Sequence, residues 1–228
     1  MRGALFLIIV GLGGAAILIA LGTWQVQRLA WKQGVIADID ARIVAEPVAL
    51  PDTPDPVRDA YLPVKVNGLI GHQYLRVLVS EKERGAGYRI IAGLRTDNRT
   101  KQETLLVDLG FVPVETSFSD WTVGRKHTPD VYVGNLQWPD EIDSFTPEPD
   151  LEENIWFARD VPAMANALST QPILLVVRDT SRENPIATPM PVDTTRIPNN
   201  HLQYAITWFS LAFIWLAMAL YFVRRRRA

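Results

Sequence analysis

No cysteine occurs among the 228 residues. That absence excludes a disulfide framework, a thiolate nucleophile and the paired cysteines of soft-metal carriers. Charge of one sign is lacking too: 23 basic residues face 25 acidic ones, a formal net charge of -2. No basic field exists to draw the chain onto a phosphate backbone, so nucleic acid is not an expected partner. Histidine is scarce, with three in all. His72 in "GHQY" and His127 in "KHTPD" stand in polar, turn-like contexts and read as exposed surface residues. The GxSxG elbow, the GxxxxGK[ST] loop, the HExxH helix and a GxGxxG after a strand are all missing. The nearest glycine cluster, "ERGAGY", reads as a tight hairpin turn. With no base, nucleophile or phosphate cradle in sight, an enzyme is not expected.

What the chain does have is two long uncharged runs. Ala4 to Leu21 carries no charge and covers about 27 Å as a helix, close to the hydrocarbon thickness of a bilayer. A signal peptide is the rival reading, but the run is long for one and leads directly into further helix-compatible sequence. Tyr204 to Val223 is the second uncharged run, bordered by aromatic residues and closed by four arginines, Arg224 to Arg227. The arginines anchor that end in the cytoplasm. An even number of spans returns the amino terminus to the same side and places the middle of the chain on the other. Gly11, Gly14 and Ala15 are small residues near one face of the first run, which allows a second helix to approach closely.

The middle reads as a β-rich domain. In "YLPVKVNG", Leu62, Val64 and Val66 alternate with Pro63, Lys65 and Asn67, the period of a half-buried strand. "YLRVLVSE", "YRIIAGLRT", "ETLLVDLGFVPV", "DVYVGNLQW" and "QPILLVVRD" supply further strands, with turns such as "ERGAG" and "TDNRTKQ" between them. Short strands at this spacing predict a small antiparallel sheet curled into a barrel or sandwich. "ARDVPAMANALS" predicts a short helix with Asp160 as N-cap, Pro162 in its first turn and Met164, Ala167 and Leu168 on one face. The fold class is therefore membrane α+β: two transmembrane helices flanking a small β-rich extracytoplasmic domain with a short helix. The predicted boundaries are 1–23 for the first transmembrane helix, 24–44 for its extension at the interface, 45–182 for the periplasmic domain, 183–199 for a proline-rich linker, 200–223 for the second transmembrane helix and 224–228 for a basic tail. Seven acidic residues lie between Asp140 and Glu153 with no basic one among them. They read either as a solvated loop or as a docking surface for a basic partner; the glycine turn of a calcium loop is lacking.

The mouth of the second run carries the remaining histidine. With Asn200 starting the helix, His201, Tyr204, Ala205 and Trp208 recur at i, i+3, i+4 and i+7 and share a stripe. On the first helix "LGTWQVQRLAWK" puts Trp24, Arg28 and Trp31 or Lys32 on one stripe, with Gln25 beside Arg28. A flat, apolar, dianionic macrocycle has the complementary chemistry: a neutral imidazole ligates iron, aromatic faces pack the ring and cations pair with propionates. The stripes fit a haem, with His201 as the metal ligand. They equally fit ordinary residents of a membrane interface, where amphipathic rings and snorkelling cations are favoured in any protein.

"LGTWQVQRLAWK" after the first run, "LLVDLGFVP" in the middle and "NNHLQYAITWFSLA" opening the second run, in that order, resemble the Surfeit-locus (Shy-one-like) family of cytochrome c oxidase assembly factors. The resemblance covers essentially the whole chain and is of the bacterial type, since no amphipathic transit peptide precedes the first run. It implies a multi-pass protein of the bacterial inner membrane, both termini cytoplasmic and the central domain periplasmic, that assists maturation of the haem-copper oxidase. It implies further that haem a is a transient cargo passed towards oxidase subunit one, with haem a synthase as a possible second partner. The family's haem-linked histidine falls on His201, and Trp24, Gln25 and Arg28 match the first-span motif. In the central motif many relatives read asparagine-arginine-glycine where this chain has Asp108, Leu109 and Gly110, so any role of that arginine does not carry over. Two other functions are compatible with the same features: a scaffold that holds an oxidase intermediate without touching haem, and copper delivery, against which the lack of cysteine and of a His or Met cluster counts.

Overall fold

The computed structural model describes residues 2–96, 103–118, 128–182, 185, 187–195 and 197–225, with side chains from Phe6 onward. His127, the turn over 97–102, parts of the proline-rich linker and the last two arginines, Arg226 and Arg227, lie outside the described residues. The chain divides into two compact units, Met1–Asp40 with Thr194–Ala228, and Ala41–Asp193.

The first unit is built from two helices. Helix α1 runs unbroken over Arg2–Ile43, 42 residues, or about 63 Å at 1.5 Å per residue, twice the hydrocarbon thickness. Two candidate membrane spans occur among the described residues, one in α1 and one in the 25 residues of His201–Arg225. The small-residue face of α1 does what its composition predicts. A Cβ on Gly14 would fall 2.5 Å from Trp215 Nε1, and one on Gly22 would fall 2.7 Å from Phe209 Cε1. Large rings of the second helix occupy the space that absent side chains leave, the packing device of helices without a hydrophobic driving force between them. Trp215 Nε1–H donates to the carbonyl of Gly11 at 3.0 Å, so the indole finds an acceptor inside an apolar contact. Thr23 and Thr207 likewise donate to the carbonyls of Ile19 and Gln203 in their own helices, which satisfies both hydroxyls.

The second unit is a mixed sheet closed on itself. Its strands are β1 (Val48–Ala49), β2 (Pro63–Glu81), β3 (Gly85–Thr96), β4 (Thr104–Pro113), β5 (Asp130–Gln137), β6 (Ile155–Trp156) and β7 (Gln171–Thr180). The order β2-β3-β4-β7-β5 returns to β2 through a β2–β5 pairing. Closure leaves these five strands without a free edge. β2 makes this possible by its length of 19 residues. Its first part, Pro63–Gly68, pairs with β5, and the rest, to Glu81, pairs with β3. The predicted strands "YLPVKVNG" and "YLRVLVSE" are thus one strand, bent where the register shifts between Ile70 and Tyr74. His72 lies in that bend and is exposed, as its polar neighbours predict. Such bulges turn a strand around a barrel corner.

The long pairings are antiparallel except that of β4 with β7, which is parallel, and the short strands β1 and β6 also lie parallel to β2. A parallel pair needs a crossover, and helix α2 (Val161–Leu168) lies on it, packed against both strands. Covered outside by α2 and inside by the barrel core, β4 is buried on both faces from Leu105 to Val112. Val64 and Val66 belong to the core as their alternation predicts, and Ile90 and Leu94, Leu105 and Val107, and Leu175 and Val177 join them in one cluster with Tyr132 and Leu136. In α2, Asp160 caps as predicted, accepting from the Ala163 N–H at 3.0 Å, and Ser169 ends the helix in the left-handed region. The buried face is Val161, Met164 and Ala165. Ala167 is exposed and Leu168 half-buried. The face is rotated from the predicted one because Val161, at the helix start, turns into the core with Met164 three residues on.

Candidate functional site

Helix α3, the label for His201–Arg225, begins at the histidine itself, and the Asn200 carbonyl accepts from the Tyr204 N–H at 3.2 Å to close its first turn. Because Gly11 meets Trp215, Gly14 meets the same ring and Gly22 meets Phe209, α1 and α3 run antiparallel in a fixed register. That register carries Gln25 to His201. Gln25 Oε1 and His201 Nδ1 are 2.8 Å apart. Gln25 is 9% exposed, and His201 is half-buried. An amide buried in an apolar helix pair is costly unless bonded, and the imidazole supplies the partner. Ala205, one turn into α3, is 2% exposed, leaving room for the approach.

The other predicted site residues lie elsewhere on the pair. Trp208 is half-buried two turns into α3. Trp24 and Tyr204 are 53% and 54% exposed. Arg28 lies over the Trp31 ring, its Cζ 4.1 Å from the centroid, a cation–π contact within α1. Among the described residues no hydrogen bond, ion pair or ring contact joins Trp24, Arg28, Tyr204 or Trp208 to His201. The helical period explains the division: Trp24 is about 100° around α1 from Gln25, so when Gln25 faces α3 the indole turns outward. Chemically the site offers one imidazole with one ring nitrogen engaged, and flat rings and a guanidinium on the outer faces nearby. One nitrogen donor with apolar and cationic surroundings suits a haem iron and its propionates, and does not suit a hard cation. Among the described residues no group of three or more His, Cys, Asp or Glu is placed to hold a bare metal ion.

A second polar assembly lies inside the barrel unit. Asp108 is 0% exposed. Its Oδ2 accepts from Arg89 Nε at 2.6 Å and lies 3.8 Å from Arg159 Nη1, and its Oδ1 accepts from the Gly110 N–H at 3.0 Å. Arg159 also binds Glu141 through its Nε and Nη2 and donates to Gln137 Oε1 at 2.9 Å. Burial alone would push the Glu141 carboxyl up and the Arg159 guanidinium down. Their mutual hydrogen bonds and attraction, joined at Arg159 by the charge of Asp108, win, holding Glu141 below the usual carboxylate range and Arg159 above its own. The sequence marks neither arginine, because each comes from a different element; the signal that could have pointed here is Asp108, an acid within an otherwise apolar strand. Leu109 is 9% exposed and belongs to the barrel core, so this chain places an apolar side chain where many relatives are expected to carry arginine. The acidic stretch is ordered partly by its own carboxylates: Asp143 accepts from the Phe145 N–H, and Asp150 from the N–H groups of Glu152 and Glu153. Asp140, Glu148, Glu152 and Glu153 remain exposed.

Two helices long and apolar enough to cross a membrane, packed through glycines, with a hydrogen-bonded imidazole at the start of the second and a closed β-barrel between them in sequence, define the class of protein to which this chain belongs. The model of the SURF1 family matches residues 12–213. Surfeit locus protein 1 of Rattus norvegicus is 33% identical over 236 residues, covering 90% of this chain and 72% of its own length. The human protein of that name is 32% identical, covering 84% and 69%, and the SURF1-like protein of Monosiga brevicollis is 32% identical, covering 90% and 83%. The chain belongs to the SURF1 family, and its role is that of a cytochrome c oxidase assembly factor.

Proposed function

We propose that the chain holds haem a transiently at the outer edge of the bilayer and assists its insertion into oxidase subunit one. The observation that carries this reading is the bond between Gln25 and His201, which holds a single imidazole at the end of a glycine-packed helix pair. A carrier must release its cargo. One axial ligand at a half-exposed position suits release better than an enclosed site with two ligands. His201 supplies the nitrogen for iron, and a macrocycle lying against the outer flank of the pair would meet the rings of Tyr204, Trp208 and Trp24 there, with Arg28 pairing a propionate. Haem, when bound, would supply the iron that His201 holds, and no covalent bond is made or broken by the protein. The barrel unit serves as the docking surface for subunit one or for haem a synthase. In this reading the spans sit in a bacterial inner membrane, with both termini cytoplasmic and the barrel periplasmic, as the arginines closing α3 favour.

The test is the cofactor content of the oxidase. Oxidase purified from cells making only the His201→Ala variant is expected to contain markedly less haem a per subunit one than oxidase from wild-type cells. Copper lost while the haem remains intact would overturn the proposal in favour of metal delivery. Unchanged haem a would leave the scaffold function as the better account.

A further inference from the structure

We infer that Gln25 is a positioning residue: it acts on His201, fixing the imidazole as its Nδ1–H tautomer so that Nε2 is the atom left to bind iron. The functional part of this inference rests on the haem reading above; the tautomer does not. A neutral imidazole has one N–H donor and one lone-pair acceptor, and a carboxamide oxygen only accepts. Nδ1 lies 2.8 Å from Gln25 Oε1, so the proton between them belongs to the imidazole. Nε2 then keeps its lone pair, and among the described residues no hydrogen bond engages it.

The placement explains why this arrangement is useful. Nδ1 is the ring nitrogen nearer the backbone of α3, where a flat macrocycle would meet the helix. Nε2 is the distal nitrogen and can reach a metal without that obstruction. Histidines that ligate metals usually donate their other N–H to an oxygen that sets tautomer and ring orientation. Here that oxygen comes from the opposite helix. It is held in place by burial, since Gln25 is 9% exposed, and by the Gly22–Phe209 contact one turn away. With its oxygen committed and its side chain buried, Gln25 has little surface to offer a porphyrin directly. Its contribution passes through His201.

The experiment uses the full chain in detergent, labelled with ¹⁵N-histidine, with the His201 signals assigned by their loss in His201→Ala. Long-range ¹H–¹⁵N correlation spectra of the haem-free protein at neutral pH are expected to show His201 as the Nδ1–H tautomer. Gln25→Leu should release it to the Nε2–H form that free side chains favour, while Gln25→Glu, which keeps an acceptor oxygen, should retain Nδ1–H. Titration with ferric haem b, followed in the Soret region, should show Gln25→Leu weakened about 10–100-fold and Gln25→Glu closer to wild type. A wild-type His201 found as Nε2–H, or a tautomer and affinity untouched by Gln25→Leu, would overturn the inference. Should Gln25→Leu fail to fold, the wild-type tautomer decides alone. A Gln25-dependent Nδ1–H signal in a protein that binds no haem would remove the haem reading and leave the positioning role. Haem bound through His201 with Nε2–H in the free protein would do the reverse.

Discussion

Asp108→Ala is expected to destabilise the barrel unit by about 3–5 kcal/mol, the usual cost of removing one partner from a buried ion pair. The carboxylate is 0% exposed and its neighbours are two guanidiniums, with Arg89 at 2.6 Å and Arg159 at 3.8 Å. The arginine side chains are themselves only 10% and 12% exposed. Deleting the acid leaves Arg89 with the Met190 carbonyl as its remaining acceptor and leaves Arg159 to Glu141 and Gln137. Asp108→Asn should cost less, because its side-chain oxygen can still accept from the Gly110 N–H. Chemical denaturation of the detergent-solubilised chain, followed by far-ultraviolet circular dichroism, measures both; equal stability of Asp108→Ala and wild type would show that the pair contributes nothing.

Gly110→Ala should be nearly as damaging. Gly110 has φ +109, and a Cβ there would fall 2.0 Å from the Thr188 carbonyl oxygen. That carbonyl cannot withdraw easily, because it accepts from the Phe111 N–H at 2.7 Å while the Thr188 N–H donates back to Phe111 at 2.9 Å. A backbone conformation costing about 1–2 kcal/mol for an L-residue adds to an overpacking cost of about 1–3 kcal/mol. Gly71→Ala is the matched control in the same unit: its Cβ would meet only the Gly93 carbonyl oxygen, at 3.5 Å. The same denaturation experiment should separate the two by at least about 2 kcal/mol. Asp108 and Gly110 share a hydrogen bond, so their double variant should be less damaged than the two costs added together. The central motif "DLGFVP" is thereby explained as barrel architecture.

Both long apolar helices were legible because an uncharged run of that length permits few alternatives. The inward residues at the start of β2, Val64 and Val66, were legible because alternation marks a face. Alternation names no partner, however. It did not tell that β2 is one bent strand, that β4 lies parallel to β7, or that the two-residue strands β1 and β6 exist. The buried ion cluster was hidden for a similar reason: Arg89 and Arg159 stand far from Asp108 in sequence, and nothing local distinguishes them from surface arginines. At the site, the stripe of Gly11, Gly14 and Ala15 announced which face of α1 meets a neighbour. Continued by Gly22, the same face leads to Gln25, whereas Trp24 and Arg28 share a stripe on one flank of it. Interfacial chemistry drew attention to the tryptophan and the arginine, but packing chose the glutamine as the partner of His201.

The central claim is that a single imidazole on this helix pair holds haem a. The absorption spectrum of the detergent-purified protein, from cells that make haem a, tests it most directly. The account predicts a Soret band in the wild-type protein that His201→Ala removes or shifts. A colourless wild-type protein that still carries its oxidase partners through purification would contradict it.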